Sequence, residues 1–371
     1  MNITSFRRVA APTVVAIALG IGLTACGAAN ESDASDDTSN TSANTLSGTL
    51  NGAGASSQEA AMAAWQAGFQ TANPDVTVNY DPVGSGGGRE QFIAGGTAFA
   101  GSDAYLDDEE GELSAAAERC TTDPIEIPSY VSPIAVIYNV DGVDDLNLSG
   151  EVIADIFTGK ITKWDDPEIA AENPDTELPD SNINAVHRAD DSGTTDNFTA
   201  YMEAAAPSVW THGEVGEWPI KHGEAATGTS GVVAAVQNGS NSIGYADASQ
   251  AGDLGVAKVK VGAEYVEPTA EAAAKVLEVS PRVEGRPEVD MAFELDRATE
   301  ESGAYPIVLT SYLIACQTYE DQKTADLVKG FLTYVVGEDG QAAAAESAGS
   351  APLSASLRDE ALGIIETISA S

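Results

Sequence analysis

Apolar positions along this chain come in two rhythms. Short extended runs, Thr49-Leu50 and Val76-Thr77-Val78-Asn79-Tyr80, flank a segment of helical spacing from about Ser57 to Thr71. Two longer and nearly unbroken apolar runs, Val131–Tyr138 and Ile307–Ala315, read as strands buried on both faces. Helical patterns recur over Gly150–Phe157, Thr195–Ala206, Ser230–Gln237, Pro268–Leu277 and Gln322–Val336, with no internal repeat. The stretch Pro167–Pro179, rich in Asp, Glu, Asn and Pro, reads as a surface loop. Strands alternating with helices predict an α/β architecture built on mainly parallel sheets.

The first 45 residues follow another pattern. Arg7 and Arg8 precede a 15-residue apolar run, Val9–Leu23, which is short for a bilayer span and suits the core of a signal peptide. Phe6-Arg7-Arg8-Val9 is too little to specify twin-arginine export. The run closes on Leu23-Thr24-Ala25-Cys26, which resembles a bacterial lipobox and predicts residues 1–25 as the signal and Cys26 as a lipidated (palmitate-bearing) N-terminus. Residues 26–45, dominated by Ser, Thr, Asn, Asp and Ala, cannot bury enough apolar surface to offset their ordering entropy and read as a tether. More than 300 residues then remain to fold, which favours two domains over one.

Charge narrows the function. With 17 basic and 58 acidic residues, the net charge is −41, which disfavours nucleic acid as a partner. A small anion is still admissible, because salt screens surface charge beyond about 8–10 Å and a buried site works through local donors. Outside Cys26 the chain has Cys120 and Cys316, an even pair; in an oxidising compartment a disulfide is the default, although two separate buried thiols fit the spacing equally well. Three histidines (His187, His212, His222) and no clustered cysteines give a metal site little support, and no cofactor is expected.

Candidate chemistry concentrates where strands run into helices. Gly52-Ala53-Gly54-Ala55-Ser56-Ser57-Gln58-Glu59 offers a tight turn and, through Ser56 and Glu59, a capping box whose free amides could face an anion. Val83-Gly84-Ser85-Gly86-Gly87-Gly88 offers a glycine nest with a hydroxyl, and it is no Walker loop, since no Gly-Lys-Ser/Thr follows. Ala100-Gly101-Ser102-Asp103-Ala104 adds an isolated carboxylate. The richest run is His187-Arg188-Ala189-Asp190-Asp191-Ser192-Gly193-Thr194-Thr195, where a guanidinium, hydroxyls and first-turn amides converge and Asp190 can orient the arginine. An ordinary capped helix or an Arg–Asp pair on a surface loop would explain any one of these runs, but not all four together.

The runs GAGAS, GSGGG, GSDA, TGKITKWDDPEI, HRADDSGT and YPI, in this order across roughly Leu46 to Pro352, resemble the phosphate-binding proteins of high-affinity phosphate ABC importers. The resemblance implies a type II periplasmic-binding-protein fold, with domain I from residues 46–127 and 304–371, domain II from 128–303, a hinge near Ile127-Pro128 and Tyr305-Pro306, and the ligand in the cleft. It implies inorganic phosphate held by Ser56, Ser57, Ser85, Asp103, Arg188, Ser192, Gly193 and Thr194. It also implies membrane permease subunits with their ATPase as partners, attachment to the outer face of the cell membrane through the lipid, and no enzymatic activity. Cys120 and Cys316 then fall in one domain, which favours their pairing. Two positions depart from the family: Ser57 stands where an aromatic is common, predicting a wetter pocket wall, and Asp191 stands where glycine is usual, adding negative charge near the mouth. Rival readings are a phosphatase, in which His187 would activate Ser192, a binder of another oxyanion such as sulfate or molybdate, and a surface adhesin without ligand.

Overall fold

The two strongest apolar runs meet at the centre of the protein. In the computed structural model, which describes residues 46–108 and 111–371, the strands that contain them pair antiparallel from Val308↔Pro133 to Cys316↔Pro124, with a register shift between Ser311 and Tyr312. Both strands are buried along essentially their whole length, so continuous apolar sequence rather than alternation is what they need.

In chain order the strands are β1 (Gly48–Gly54), β2 (Val76–Asp81), β3 (Phe99–Ser102), β4 (Pro124–Asn139), β5 (Asn147–Leu148), β6 (Asn184–Arg188), β7 (Glu224–Ala226) and β8 (Ser242–Asp247). The short β9 (Gly255–Val256), β10 (Lys258–Val261) and β11 (Glu264–Val266) follow, then β12 (Val308–Cys316), β13 (Thr318–Tyr319) and β14 (Ser369–Ala370). The helices are α1 (Glu59–Ala72), α2 (Ser85–Ile93), α3 (Glu112–Cys120), α4 (Gly150–Phe157), α5 (Pro167–Glu172) and α6 (Gly193–Ala205). They continue as α7 (Gly228–Asn238), α8 (Ala270–Val279), α9 (Gln322–Val336), α10 (Glu338–Ala348) and α11 (Ala355–Ile365).

The main sheet has the order β2-β1-β3-β12-β4-β8-β6-β7, with β9 also on β4. Its flanks are parallel: β1 with β2 and β3, and β6 with β7 and β8. Its centre corrects the mainly parallel expectation, because β12 runs against β3 and β4, and β4 against β8. The physical reason is connectivity. The chain crosses the sheet along β4 and returns along β12, and two long strands that lead out and back must run in opposite directions. β4 changes partner on the way, pairing with β12 through Pro133 and with β8 from Ile134 on.

Helix starts follow capping chemistry in most places. Side-chain oxygens of Ser149, Asp166, Ser192, Thr269, Asp321 and Ser354 accept a bond from a first-turn amide. Asp166 caps a helix within the segment expected to be loop: Pro167 sits at the first helical position, where its missing N–H costs nothing, so α5 forms over Pro167–Glu172. Aromatic contacts tie the helices to the sheet, as where Phe331 meets both Phe69 and Phe99 with ring centroids 5.4 Å away.

Cys120, at the end of α3, is bonded to Cys316, at the end of β12, with their Cα atoms 5.2 Å apart. The signal segment, Cys26 and the tether expected for residues 26–45 lie outside the described residues, and no described helix is long and apolar enough to cross a membrane. Because the disulfide closes a loop with a sequence separation of 196, it restricts the unfolded chain. Replacing both cysteines with serine is expected to lower stability by about 2–4 kcal/mol in urea unfolding, and superimposable curves would exclude that role.

Candidate functional site

The loops that leave the carboxyl ends of β1, β3 and β6 converge. β3 and β6 are four strand spacings apart in the sheet order, roughly 19 Å if the sheet were flat. Yet Thr194 Oγ1, at the start of α6, donates to Asp103 Oδ2 at 3.1 Å. The sheet therefore curls, and what it curls around is this site.

Each loop is shaped for close approach. Gly54 has φ +148°, and a Cβ there would lie 1.9 Å from the Gly101 carbonyl oxygen, so only glycine lets the ends of β1 and β3 press together. The following residues do not form the expected capping box. The cap of α1 is Gln58, with no side-chain cap bond, and Glu59 is already the first helical residue. Ser56 Oγ instead accepts from Thr229 N at 3.1 Å and contacts Thr229 Oγ1 at 3.1 Å, so a contact between segments distant in sequence replaces a local one. Ser57 Oγ donates to the Asp103 carboxylate, with both oxygens at 2.7 Å.

The glycine run is also corrected. Ser85-Gly86-Gly87-Gly88 is the first turn of α2 and not an irregular nest. The bare backbone serves packing: a Cβ on Gly88 would meet Gly54 Cα at 2.4 Å, and one on Gly86 would meet the Asp191 carboxylate at 1.8 Å. Ser85 Oγ accepts from Asp103 N at 3.1 Å, which leaves its own proton to donate.

Arg188 ends β6 and is only 2% exposed. Its Nε donates to Asp190 Oδ1 at 2.9 Å and its Nη2 to Asp190 Oδ2, a bidentate pair, while Gly228 N donates to Asp190 Oδ1 at 3.0 Å. Tyr245 supports the same strand end, accepting from Arg188 N at 3.2 Å and meeting Thr195 Oγ1 at 2.7 Å. Ser192 caps α6 by accepting from Thr195 N at 3.2 Å. Gly193 faces the opposite loops, since a Cβ there would lie 2.5 Å from Ser85 Oγ and 2.7 Å from Asp103 Cβ. Ser56, Ser57, Ser85, Asp103, Arg188, Ser192, Gly193 and Thr194 thus share one neighbourhood.

The electrostatics centre on Asp103, which is 4% exposed. Burial pushes its pKa up, while hydrogen bonds from Ser57 and Thr194 and the charge of Arg188 pull it back in part; the net shift is upward. Two oxygens offer about four lone-pair positions, and one hydroxyl each from Ser57 and Thr194 leaves acceptor capacity free. For Asp190, burial acts upward, but the bonds and charge of Arg188 outweigh it and the pKa falls.

The two departures from the family take definite positions. Ser57 is fully buried, and its hydroxyl is engaged with Asp103 rather than lining a wet wall. Asp191 packs over Gly86 and Gly216, near Arg89, whose guanidinium is paired with Glu112. His187 stacks on Trp218 with centroids 4.9 Å apart, and its Nδ1 lies 2.8 Å from the Arg188 carbonyl oxygen, a structural placement.

Sequence reasoning missed Gly228, Thr229 and Gln250. The first two belong to Thr227-Gly228-Thr229-Ser230-Gly231, a glycine and hydroxyl run at the start of α7 with the same signature as the other loops, so a signal was present. Gln250, whose Nε2 donates to Ser56 O at 2.9 Å and Ser57 O at 3.2 Å, had none.

Comparison with known proteins places the chain in a family. Residues 39–339 match the family model of the PBP superfamily domain. The chain is 34% identical over 373 residues to "Phosphate-binding protein PstS2" of Mycobacterium bovis (strain BCG / Pasteur 1173P2), covering 98% of this chain and 100% of that one. The chain belongs to the phosphate-binding proteins of the PBP superfamily. Among solved structures, the high-affinity periplasmic phosphate-binding protein PfluDING, bound with phosphate, has the same fold, with a TM-score of 0.68, 23% identity and coverage of 84% of this chain and 92% of its own. A phosphate-binding protein from Stenotrophomonas maltophilia superposes with a TM-score of 0.68 at 20% identity, covering 85% and 93%.

The Arg188–Asp190 pair makes a stability prediction. Asp190 has a depressed folded pKa, so its contribution is present above its unfolded value of about 3.9 and is lost as pH falls through the lower folded one. Arg188→Met is expected to cost about 3 kcal/mol at pH 7, because it strands a largely buried carboxylate. The deficit should shrink below about pH 4 as that carboxylate takes a proton. Urea unfolding at both pH values checks this, and a pH-independent deficit would contradict it.

Proposed function

We propose that this chain is the extracytoplasmic solute-binding protein that captures inorganic phosphate between two lobes and delivers it to an ABC importer. It belongs to a family of transport proteins that bind their substrate without transforming it, and it is not an enzyme. The observation that carries the reading is the setting of Asp103, a buried carboxylate with spare acceptor capacity beside the charge of Arg188 and the first turn of α6.

In this reading the hydroxyls of Ser56, Ser85 and Ser192, the main-chain amides of Ser56, Ser57, Gly193 and Thr194, and the Arg188 guanidinium donate to the phosphate oxygens. Helix N-termini favour the anion further. Asp103 does the selecting. Phosphate near neutrality still carries a proton to donate to it, and sulfate carries none. At about 4 Å and an effective dielectric near 20, the unrelieved repulsion is about 4 kcal/mol, about a thousandfold in affinity. The placement of His187 on Trp218 argues against the phosphatase alternative.

The two lobes are expected to be residues 46–127 with 304–371, and 128–303. The partner exchange of β4 at Pro133 and Ile134 and the start of β12 at Val308 support a hinge on these two strands, a few residues inside the expected crossings. Ser56, Ser57, Ser85 and Asp103 then belong to one lobe and Arg188, Ser192, Gly193 and Thr194 to the other, so that ligand binding and closure are one event. The lipobox at Cys26 and the tether through residue 45 support a mature protein held by an acyl anchor (palmitate) on the outer face of the cell membrane, where it meets the permease and its ATPase.

Titration calorimetry of the mature chain at pH 7.5 is expected to show phosphate binding and no competition from sulfate. Asp103→Asn should collapse the preference toward parity. Because burial raises the Asp103 pKa, discrimination in the native chain should weaken on acidification earlier than an ordinary carboxylate would allow. An Asp103→Asn chain that still rejects sulfate would contradict the proposed role of Asp103.

A further inference from the structure

Asn197 lies one turn after Gly193 on α6 and is 3% exposed. Its side-chain amide makes three hydrogen bonds. Nδ2 donates to the Asp103 carbonyl oxygen at 2.8 Å and to the Gly193 carbonyl oxygen at 2.7 Å, and Oδ1 accepts from Arg297 Nη2. Arg297 is itself fixed, donating from Nη1 to the Val308 carbonyl oxygen at 2.9 Å where β12 begins. Glu214 also stands by its guanidinium, as does Asp196, whose carboxyl burial pushes up to about 8. Two main-chain segments that present ligand groups, the loop carrying Asp103 and the start of α6, are therefore clamped to each other by one side chain, and that side chain is braced from β12.

We infer that Asn197 is a latch: a positioning residue that holds the cleft shut and sets the rate at which the ligand leaves. The inference rests on the function proposed above, and adds to it a control that no ligand contact supplies. The three bonds of the Asn197 side chain join protein groups and need no anion, so the latch favours the closed arrangement before one arrives, whereas the ligand-facing groups favour closure only when one is bound. A protein whose competent state is held in advance loses less affinity to conformational equilibrium. A cavity of about 930 Å³ borders Asp103, Asn197 and Arg297. Water there can take over the freed carbonyl and amide when the latch opens, so opening strands no buried polar group.

The chemistry of the amide separates latch from filler. Asn197→Asp keeps the shape and the acceptor for Arg297, but it removes both donated bonds and sets a carboxylate against two carbonyl oxygens. Asn197→Ala removes all three bonds. Arg297→Met leaves the donated bonds in place and removes only the brace.

Small-angle scattering of the ligand-free mature chain and stopped-flow phosphate release from the bound chain test the latch together. Asn197→Ala and Asn197→Asp are expected to enlarge the ligand-free radius of gyration and to speed release by about tenfold. Arg297→Met should change release less than either. A ligand-free radius identical to that of the native chain in both Asn197 variants would overturn the latch, and so would unchanged release. Scattering does not depend on phosphate. Failure of the native chain to bind phosphate at all would therefore count against the proposed ligand, while the ligand-free radii would still decide for or against the latch.

Discussion

A carboxylate buried among hydroxyls is the constraint from which the rest of this structure follows. Asp103 sits at the end of β3 with little water to solvate it, and burying an ionised group without partners is costly. The chain meets that cost with donors brought from elsewhere: Ser57 after β1, Thr194 after β6, and the charge of Arg188. No short segment could supply all of them. The sheet must curl until strands four positions apart present their ends to one another, and the antiparallel centre formed by β4 and β12 joins the two halves.

The glycines around the site obey the same geometry. Gly54, Gly86, Gly88 and Gly193 occur where backbone or side chains from another loop come closer than a Cβ would allow. Their use as flexible nest or turn elements is a smaller matter than the approach they permit. The chain's large negative charge does not contradict an anion site, because donors within hydrogen-bonding distance act over a range where salt and surface charge have little influence.

Much of this is legible in the residues alone, for identifiable reasons. The central strands announce themselves as unbroken apolar runs, and α4 and α9 occupy the very spans their periodicity indicates, because buried faces leave a pattern in the residues that make them. The loops with glycine and hydroxyls are visible because anion recognition draws on few residue types. What escapes is whatever depends on a partner far along the chain. The Ser56 and Glu59 pairing looks local, yet Thr229, 173 positions away, claims the serine hydroxyl. Strand direction at the centre, the contact of Gln250 with the Ser56 loop, and the clamp made by Asn197 are tertiary facts with no local signature. The Pro167 segment departs from expectation for a different reason: composition suggests a loop, while an Asp cap followed by proline is equally a helix start.

The central claim concerns a single contact, between a proton on the ligand and the Asp103 carboxylate. A high-resolution crystal structure of the protein grown with phosphate tests it directly. A phosphate oxygen is expected about 2.5–2.7 Å from an Asp103 carboxylate oxygen, with Arg188 and the amides at the start of α6 on the remaining oxygens. Phosphate seated away from Asp103, whose oxygens then serve only Ser57 and Thr194, would contradict it.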